Sequence, residues 1–185
     1  MVNQPPTPPD GIQLEFVWPK PIAQVQADVV QFWLAEGALP GTARAEKRAA
    51  ELLVVARTEA GEIAAVSTAR RVLVPVLNRK CFYYRTYVGK SFRAVGLGRN
   101  RLVWSVLTAS YEQLNRRYQA GHDGEFAGLY LEVESESIKR NRNELVWSDM
   151  GMNVVYIGTT PQGHHARVWY FTGSCVDPQR RIQRD

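Results

Sequence analysis

Apolar positions along the chain change period several times, and each change predicts an element. Ile12, Leu14, Phe16 and Trp18 alternate with polar or small neighbours, the period of two that marks a half-buried strand. Past Pro19 and Pro21, Ile22, Val25, Val29, Phe32 and Trp33 recur at steps of three and four, which predicts a helix ending before Gly37. Thr42 to Glu51, with alanines set among charges, predicts a short exposed helix. Leu52 to Arg57 and Glu62 to Thr68 are apolar runs joined by Thr58-Glu59-Ala60-Gly61, whose glycine permits a hairpin turn. Arg70 to Lys80 is less regular: Pro75 cannot donate to a central ladder, so the segment reads as an edge or a bulged extension. Cys81 to Val88 resumes as an aromatic strand.

The most sustained helical stripe joins Leu102, Val103, Val106, Leu107, Ser110, Tyr111, Leu114 and Tyr118, and Gly121 ends it. Phe126 to Glu134 alternates again, which completes a β-α-β unit. Ser135 or Ser137 then caps an expected helix running to about Ser148, with Gly151 as its left-handed stop. Asn153 to Thr159 and Ala166 to Phe171 form a terminal hairpin around Thr160-Pro161-Gln162-Gly163. Outside this domain, at 11–176, a leader at 1–10 carries four prolines and reads as extended and mobile, and a basic tail at 177–185 reads as frayed.

Composition narrows the class. A chain of 185 residues that is 45% hydrophobic and 22% charged suffices for one globular domain with its own core. Its net charge of +5 suits polyanionic ligands such as phosphates, although scattered charge needs no partner. Cys81 and Cys175 lack metal-ligand spacing and read as reduced thiols of a cytoplasmic protein. No apolar run approaches the about 18 to 20 residues needed to cross a bilayer, so no membrane association is expected.

The chemistry gathers where the aromatic strand ends. Val88 to Leu107 leads from strand to helix, and its Arg93-Ala94-Val95-Gly96-Leu97-Gly98 core offers a run of backbone N–H groups with little side-chain bulk, an anion-binding arrangement. Gly89-Lys90-Ser91 is not the end of a P-loop, because Tyr84 stands where its first glycine belongs. Arg101 replaces the third glycine of a dinucleotide fingerprint. His164-His165 lies in a glycine-flanked turn with no cysteine or carboxylate cluster nearby in sequence, so it reads as exposed turn residues and no metal is expected. Arg116-Arg117, Lys139-Arg140-Arg142 and Arg180-Arg181-Arg184 are dispersed over different elements, and a nucleic-acid interface would need them to converge on one face.

Arg93, Gly96 and Gly98 match the signature Q/R-x-x-G-x-G/A, with Val88 as the strand-ending valine and Phe92 as the aromatic beside the arginine. On these residues the chain resembles the GNAT superfamily of acyl-CoA-dependent N-acyltransferases. The likeness extends from Ile12 to Phe171: Ala56 to Ala65 looks like the family's second-to-third-strand hairpin and Leu129 to Val133 like its fifth strand. Trp147 to Met152 looks like its Y-x-x-x-G-F ending, with Gly151 kept, Trp147 in the tyrosine position and Met152 in the phenylalanine position.

The resemblance implies an α/β (α+β) fold: a mixed, mostly antiparallel sheet of about six or seven strands flanked by helices, with its fourth and fifth strands, Cys81 to Val88 and Phe126 to Glu134, splayed apart. It implies acetyl-CoA or another acyl-CoA as co-substrate. Pantetheine would run along the backbone of Thr86, Tyr87 and Val88, and the pyrophosphate would rest on Ala94, Val95, Gly96, Leu97, Gly98 and Arg99, with charge added by Arg93 and Arg99. The family's tyrosine acid is here Trp147, whose indole donates a hydrogen bond but is no useful acid. Phe82 occupies the strand position at which some members carry a carboxylate. Tyr84, on the Phe82 face of the strand, and Glu132, on the next strand, are the catalytic candidates that remain.

The implied function is acyl transfer to an amine on a small-molecule or protein acceptor. Loss of the acid and base side chains also suits a catalytically silent domain that binds acyl-CoA or another protein, and a third reading is a basic nucleic-acid-binding protein. Gly37 to Gly41, Arg70 to Lys80 and Gly158 to His165 are the expected acceptor walls, and the terminal hairpin could pair between subunits of a homodimer.

Overall fold

The computed structural model describes residues 5–94 and 101–176, so Val95 to Arg99 and the basic tail lie outside the described residues. In chain order the elements are β1 (Ile12–Phe16), α1 (Ala23–Ala35), α2 (Thr42–Ala49), β2 (Leu52–Thr58), β3 (Ile63–Val74), β4 (Arg79–Val88), α3 (Leu102–Gln119), β5 (Phe126–Val133), α4 (Glu136–Asn141), β6 (Val146–Trp147), β7 (Val154–Thr159) and β8 (His165–Tyr170). The strands form one mixed sheet in the order β1-β2-β3-β4-β5-β8-β7-β6, with β4 parallel to β5. The chain divides into two compact units, Met1–Arg70 with Tyr84–Ser110 and Arg71–Tyr83 with Tyr111–Asp185.

In the first unit, Val25, Val29 and Trp33 of α1 and Ala45 and Ala49 of α2 pack on Leu52, Val55 and Val66, with Phe32 and Tyr87 at the margin. Strand alternation turns Ser67 to the opposite face. Where a register shift interrupts β2 between Leu52 and Val54, the Val54 N–H donates to Ser67 Oγ at 3.1 Å. Ser67 and Ser110 hydroxyls meet at 3.0 Å, and Ser110 Oγ donates to the Val106 carbonyl at 2.6 Å. The described part of the Pro-rich leader is tethered here: Pro6 is buried, and Ser105 Oγ donates to the Thr7 carbonyl at 2.7 Å.

The second unit has an aromatic core. Phe82 stacks on Phe126 with centroids 4.5 Å apart, Tyr111 on Trp169 at 3.7 Å, and Tyr118 tilts against Phe171 at 5.3 Å. Gly128 of β5 faces Tyr170 of β8. A Cβ at Gly128 would lie 2.2 Å from the Trp169 carbonyl oxygen, so only glycine permits this approach.

Two expectations change. β3 continues to Val74 and yields to a 3₁₀ turn at Pro75–Leu77, closed by Asn78 at φ 49°. Pro75 needs no ladder donor there, so Arg70 to Lys80 forms the tip of the β3–β4 hairpin. The helix capped by Ser135, whose Oγ accepts from the Ile138 N–H at 3.3 Å, stops at Asn141 instead of near Ser148. The Arg142 carbonyl is taken by Trp147 Nε1 at 3.1 Å and by Arg167 Nη2 at 3.2 Å, and the following residues form β6, which brings the sheet to eight strands.

Phe82→Ala should lower unfolding free energy by about 3–5 kcal/mol in urea titrations, and Gly128→Ala should destabilise by forcing β5 from β8. Burial pushes the Cys81 thiol up to about 11 and the Tyr84 phenol up to about 12, from ordinary values of 9.0 and 10.0. The unfolded chain therefore releases these protons first, and stability should be full below pH 9 and fall as pH rises toward 12, read as a falling urea midpoint.

Candidate functional site

In the first unit the end of β4, the turn after it and the end of α1 are built together. Glu36 follows α1, and its Oε2 accepts from the Lys90 N–H at 2.9 Å and from the Tyr87 hydroxyl at 3.2 Å. Arg93 Nη2 donates to the Tyr87 oxygen at 3.3 Å, and Arg93 Nε donates to the Val88 carbonyl at 3.3 Å. Its guanidinium carbon stands 5.6 Å from the Tyr87 ring centroid. Burial, and then Glu36, hold the Tyr87 phenol above its ordinary range. Gly89 donates its N–H to the Ala64 carbonyl at 2.9 Å. A Cβ there would meet Ala64 O, Phe32 and Phe92 at 3.3 Å, so a larger residue would require these neighbours to give by a few tenths of an ångström.

Tyr87, Val88 and Arg93 are thus brought together; Thr86 precedes them on β4 with its hydroxyl turned to Tyr84, Ala94 follows Arg93 in sequence, and Val95, Gly96, Leu97, Gly98 and Arg99 lie outside the described residues. Beyond them α3 runs 18 residues with no acidic residue in its first turn. From Ile63 to Tyr111 the sequence has no Asp or Glu, yet it carries Arg70, Arg71, Arg79, Lys80, Arg85, Lys90, Arg93, Arg99 and Arg101. Lys90, Arg93 and Arg101, with the start of a long helix that has no acid in its first turn, supply chemistry that suits a polyanion such as the pyrophosphate of an acyl-CoA.

Tyr84 is 5% exposed. Thr86 Oγ1 donates to its hydroxyl, Ser67 and Ser110 stand beside it, and its raised pKa keeps it protonated. It is a buried phenol committed to the interior.

Glu132 belongs to a different network, in the second unit. The Tyr83 hydroxyl donates to Glu132 Oε2 at 3.1 Å and the Tyr130 hydroxyl to Oε1 at 2.9 Å, with the two rings 5.5 Å apart. Burial, and then Glu132, push the Tyr130 phenol up. His164 Nδ1 lies 3.8 Å from Glu132 Oε2, with the His164 and Glu132 side chains 25% and 22% exposed. The reading of His164 as an exposed turn residue is therefore corrected: the β5–β8 register, Val133 opposite His165, carries the turn alongside Glu132. Tyr83 was also missed. Its signal was the strand alternation that opposes it to Phe82 and Tyr84.

Trp147 is 2% exposed. Its indole N–H is committed to Arg142, and the Arg167 guanidinium carbon lies 4.1 Å from its ring centroid. Arg167 is 1% exposed; Nη2 also donates to the Glu144 carbonyl at 2.8 Å, and burial holds its pKa below the ordinary value.

No family model matches the chain, and no curated protein matches it in sequence. Among solved structures it is similar to the ribosomal-protein-S18-alanine N-acetyltransferase from Escherichia coli, at 15% identity over 87% of this chain and 94% of that one, with a TM-score of 0.49. It is similar to a GNAT-family acetyltransferase from Streptococcus pneumoniae, at 14% identity over 87% and 99%, TM-score 0.47. A GNAT-family acetyltransferase from Listeria monocytogenes gives 15% identity over 86% and 94%, TM-score 0.45. At these identities the likeness is one of fold: the chain is similar in fold to acetyltransferases of the GNAT family.

Proposed function

We propose that this chain is an acyl-CoA-dependent N-acyltransferase of the GNAT type, which transfers an acyl group, most simply acetyl, to an amine. One observation carries the reading: the end of β4 passes into α3 through an acid-free, cation-bearing segment whose first arginine is fixed on Tyr87 and Val88. Acyl-CoA supplies the acyl group as a thioester. In this reading the backbone of Thr86 to Val88 holds the pantetheine, Ala94 to Arg99 and the start of α3 hold the pyrophosphate, and Arg93 adds charge. A backbone N–H near Val88 serves the developing oxyanion. Glu132, held by Tyr83 and Tyr130, supports the transfer of the amine proton. Both cysteines are free thiols, which suits a reducing compartment such as the cytoplasm. Among the described residues no helix is long and apolar enough to cross a membrane.

The commitment of the Trp147 N–H and the burial of Tyr84 leave no evident acid on either side chain. This favours, as the second reading, a domain that binds acyl-CoA without turnover.

Acetyl-CoA at a hundred times its Kd should stabilise the protein by about 2.7 kcal/mol, read as a raised Tm. Arg93→Ala should weaken binding by about tenfold, the worth of one charge-assisted contact at an exposed site. Absence of a Tm shift with every acyl-CoA tried would exclude the proposal. Thiol release against a panel of amines separates the two readings. Glu132→Gln is expected to lower kcat about 10²–10⁴-fold while the Tm shift persists; binding without any release by the unaltered chain marks the silent domain.

A further inference from the structure

Glu132 is well held but poorly placed to act alone. Both of its oxygens already accept a phenol hydrogen, from Tyr83 and Tyr130. Each oxygen is thereby anchored, and the carboxylate is fixed in place between two phenols. Such a carboxylate is better suited to fix a neighbour than to take a proton itself.

His164 is that neighbour. Its Nδ1 is buried and has no hydrogen-bond partner among the described residues, and Glu132 Oε2 stands 3.8 Å away. Closing that gap by about 1 Å makes a normal hydrogen bond. The turn holds the His164 backbone from both sides: the Thr160 N–H donates to the His164 carbonyl at 2.9 Å, and the His164 N–H donates to Thr160 Oγ1 at 3.2 Å. Only side-chain torsions remain free. Because Nδ1 is buried while the side chain is 25% exposed, the exposure falls on the other atoms of the side chain.

We propose that Glu132 and His164 form a dyad, in which Glu132 positions the imidazole and His164 Nε2 accepts the proton of the acceptor amine. This rests on the acyltransferase reading above. With Nδ1–H donated to Glu132 Oε2, the Nε2 lone pair is the free one. As the amine nitrogen bonds to the acyl carbon, the C–S bond breaks and its electron pair leaves with sulfur. The amine proton passes to Nε2, the imidazolium is stabilised by Glu132, and water then takes the proton from Nε2. His164 is the catalytic residue of this step, and Glu132 is a positioning residue.

Two measurements on the full chain test the dyad. The tautomer of His164 is read by ¹H–¹⁵N correlation NMR with ¹⁵N-labelled histidine, its resonance assigned by His164→Gln. The Nδ1–H form is expected in the unaltered protein, and Glu132→Ala should abolish that preference. A dominant Nε2–H form with Glu132 in place overturns the dyad whatever the activity. In thiol release, His164→Ala should lower kcat about 10²–10⁴-fold, leave KM for acyl-CoA unchanged and recover in part with added imidazole. An unchanged kcat also overturns the dyad. The expected tautomer without thiol release from any acyl-CoA overturns the acyltransferase reading and, with it, the catalytic role of His164. That failure is distinct, because the tautomer would still be in place.

Discussion

A buried hydroxyl must find a partner, and in the first unit that requirement locks α3 to the sheet. The bulge in β2 leaves the Val54 N–H in need of an acceptor, which Ser67 supplies. Because the Ser110 hydrogen is spent on the Val106 carbonyl, the Ser67 hydroxyl must donate to Ser110. The resulting relay runs from strand amide to helix carbonyl through two side chains and admits one direction only. An apolar contact would tolerate a small slide of the helix; this relay does not, since each displaced hydroxyl would leave a donor or acceptor stranded. The start of α3, on which any anion site at its N-terminus depends, inherits that placement.

Strand β4 distributes its residues by parity. Phe82 goes to an aromatic stack and Tyr84 to the hydroxyl cluster. Tyr83 and Tyr87, on the alternate side, each hold a carboxylate, Glu132 and Glu36 respectively. A strand without an acidic residue of its own thus recruits carboxylates through phenols. The chemistry of the segment lies less in the charged residues it carries than in the anions its tyrosines gather.

The elements were legible in the sequence wherever a single period governed a segment. The stripes of α1 and α3 and the alternation of β1 and β5 reflect burial of one face, which composition records directly. What sequence could not show was set by long-range partners. Nothing near Arg142 marks it as a helix end, because the groups that take its carbonyl come from Trp147 and from Arg167, 25 residues on. His164 reads as solvent-facing until the β5–β8 register carries its turn alongside Glu132. Tyr84 and Tyr83 are indistinguishable by type; only the faces against which they pack separate a buried phenol from one that holds a carboxylate. The leader reads as free because prolines suppress donors, yet its carbonyls remain acceptors and Ser105 uses one.

The Arg167 guanidinium lies against two ring faces and donates from Nη2 to two backbone carbonyls, while its Nε and Nη1 are buried without a hydrogen-bond partner among the described residues. Ions in solution screen charges that water can reach, and this one they cannot. Raising ionic strength will therefore loosen exposed pairs such as Lys80 with Glu125 while leaving the packing of Arg167 against Trp147 and Tyr156 nearly unaltered. The β6–β8 end of the sheet is held by a cation whose contribution is indifferent to salt.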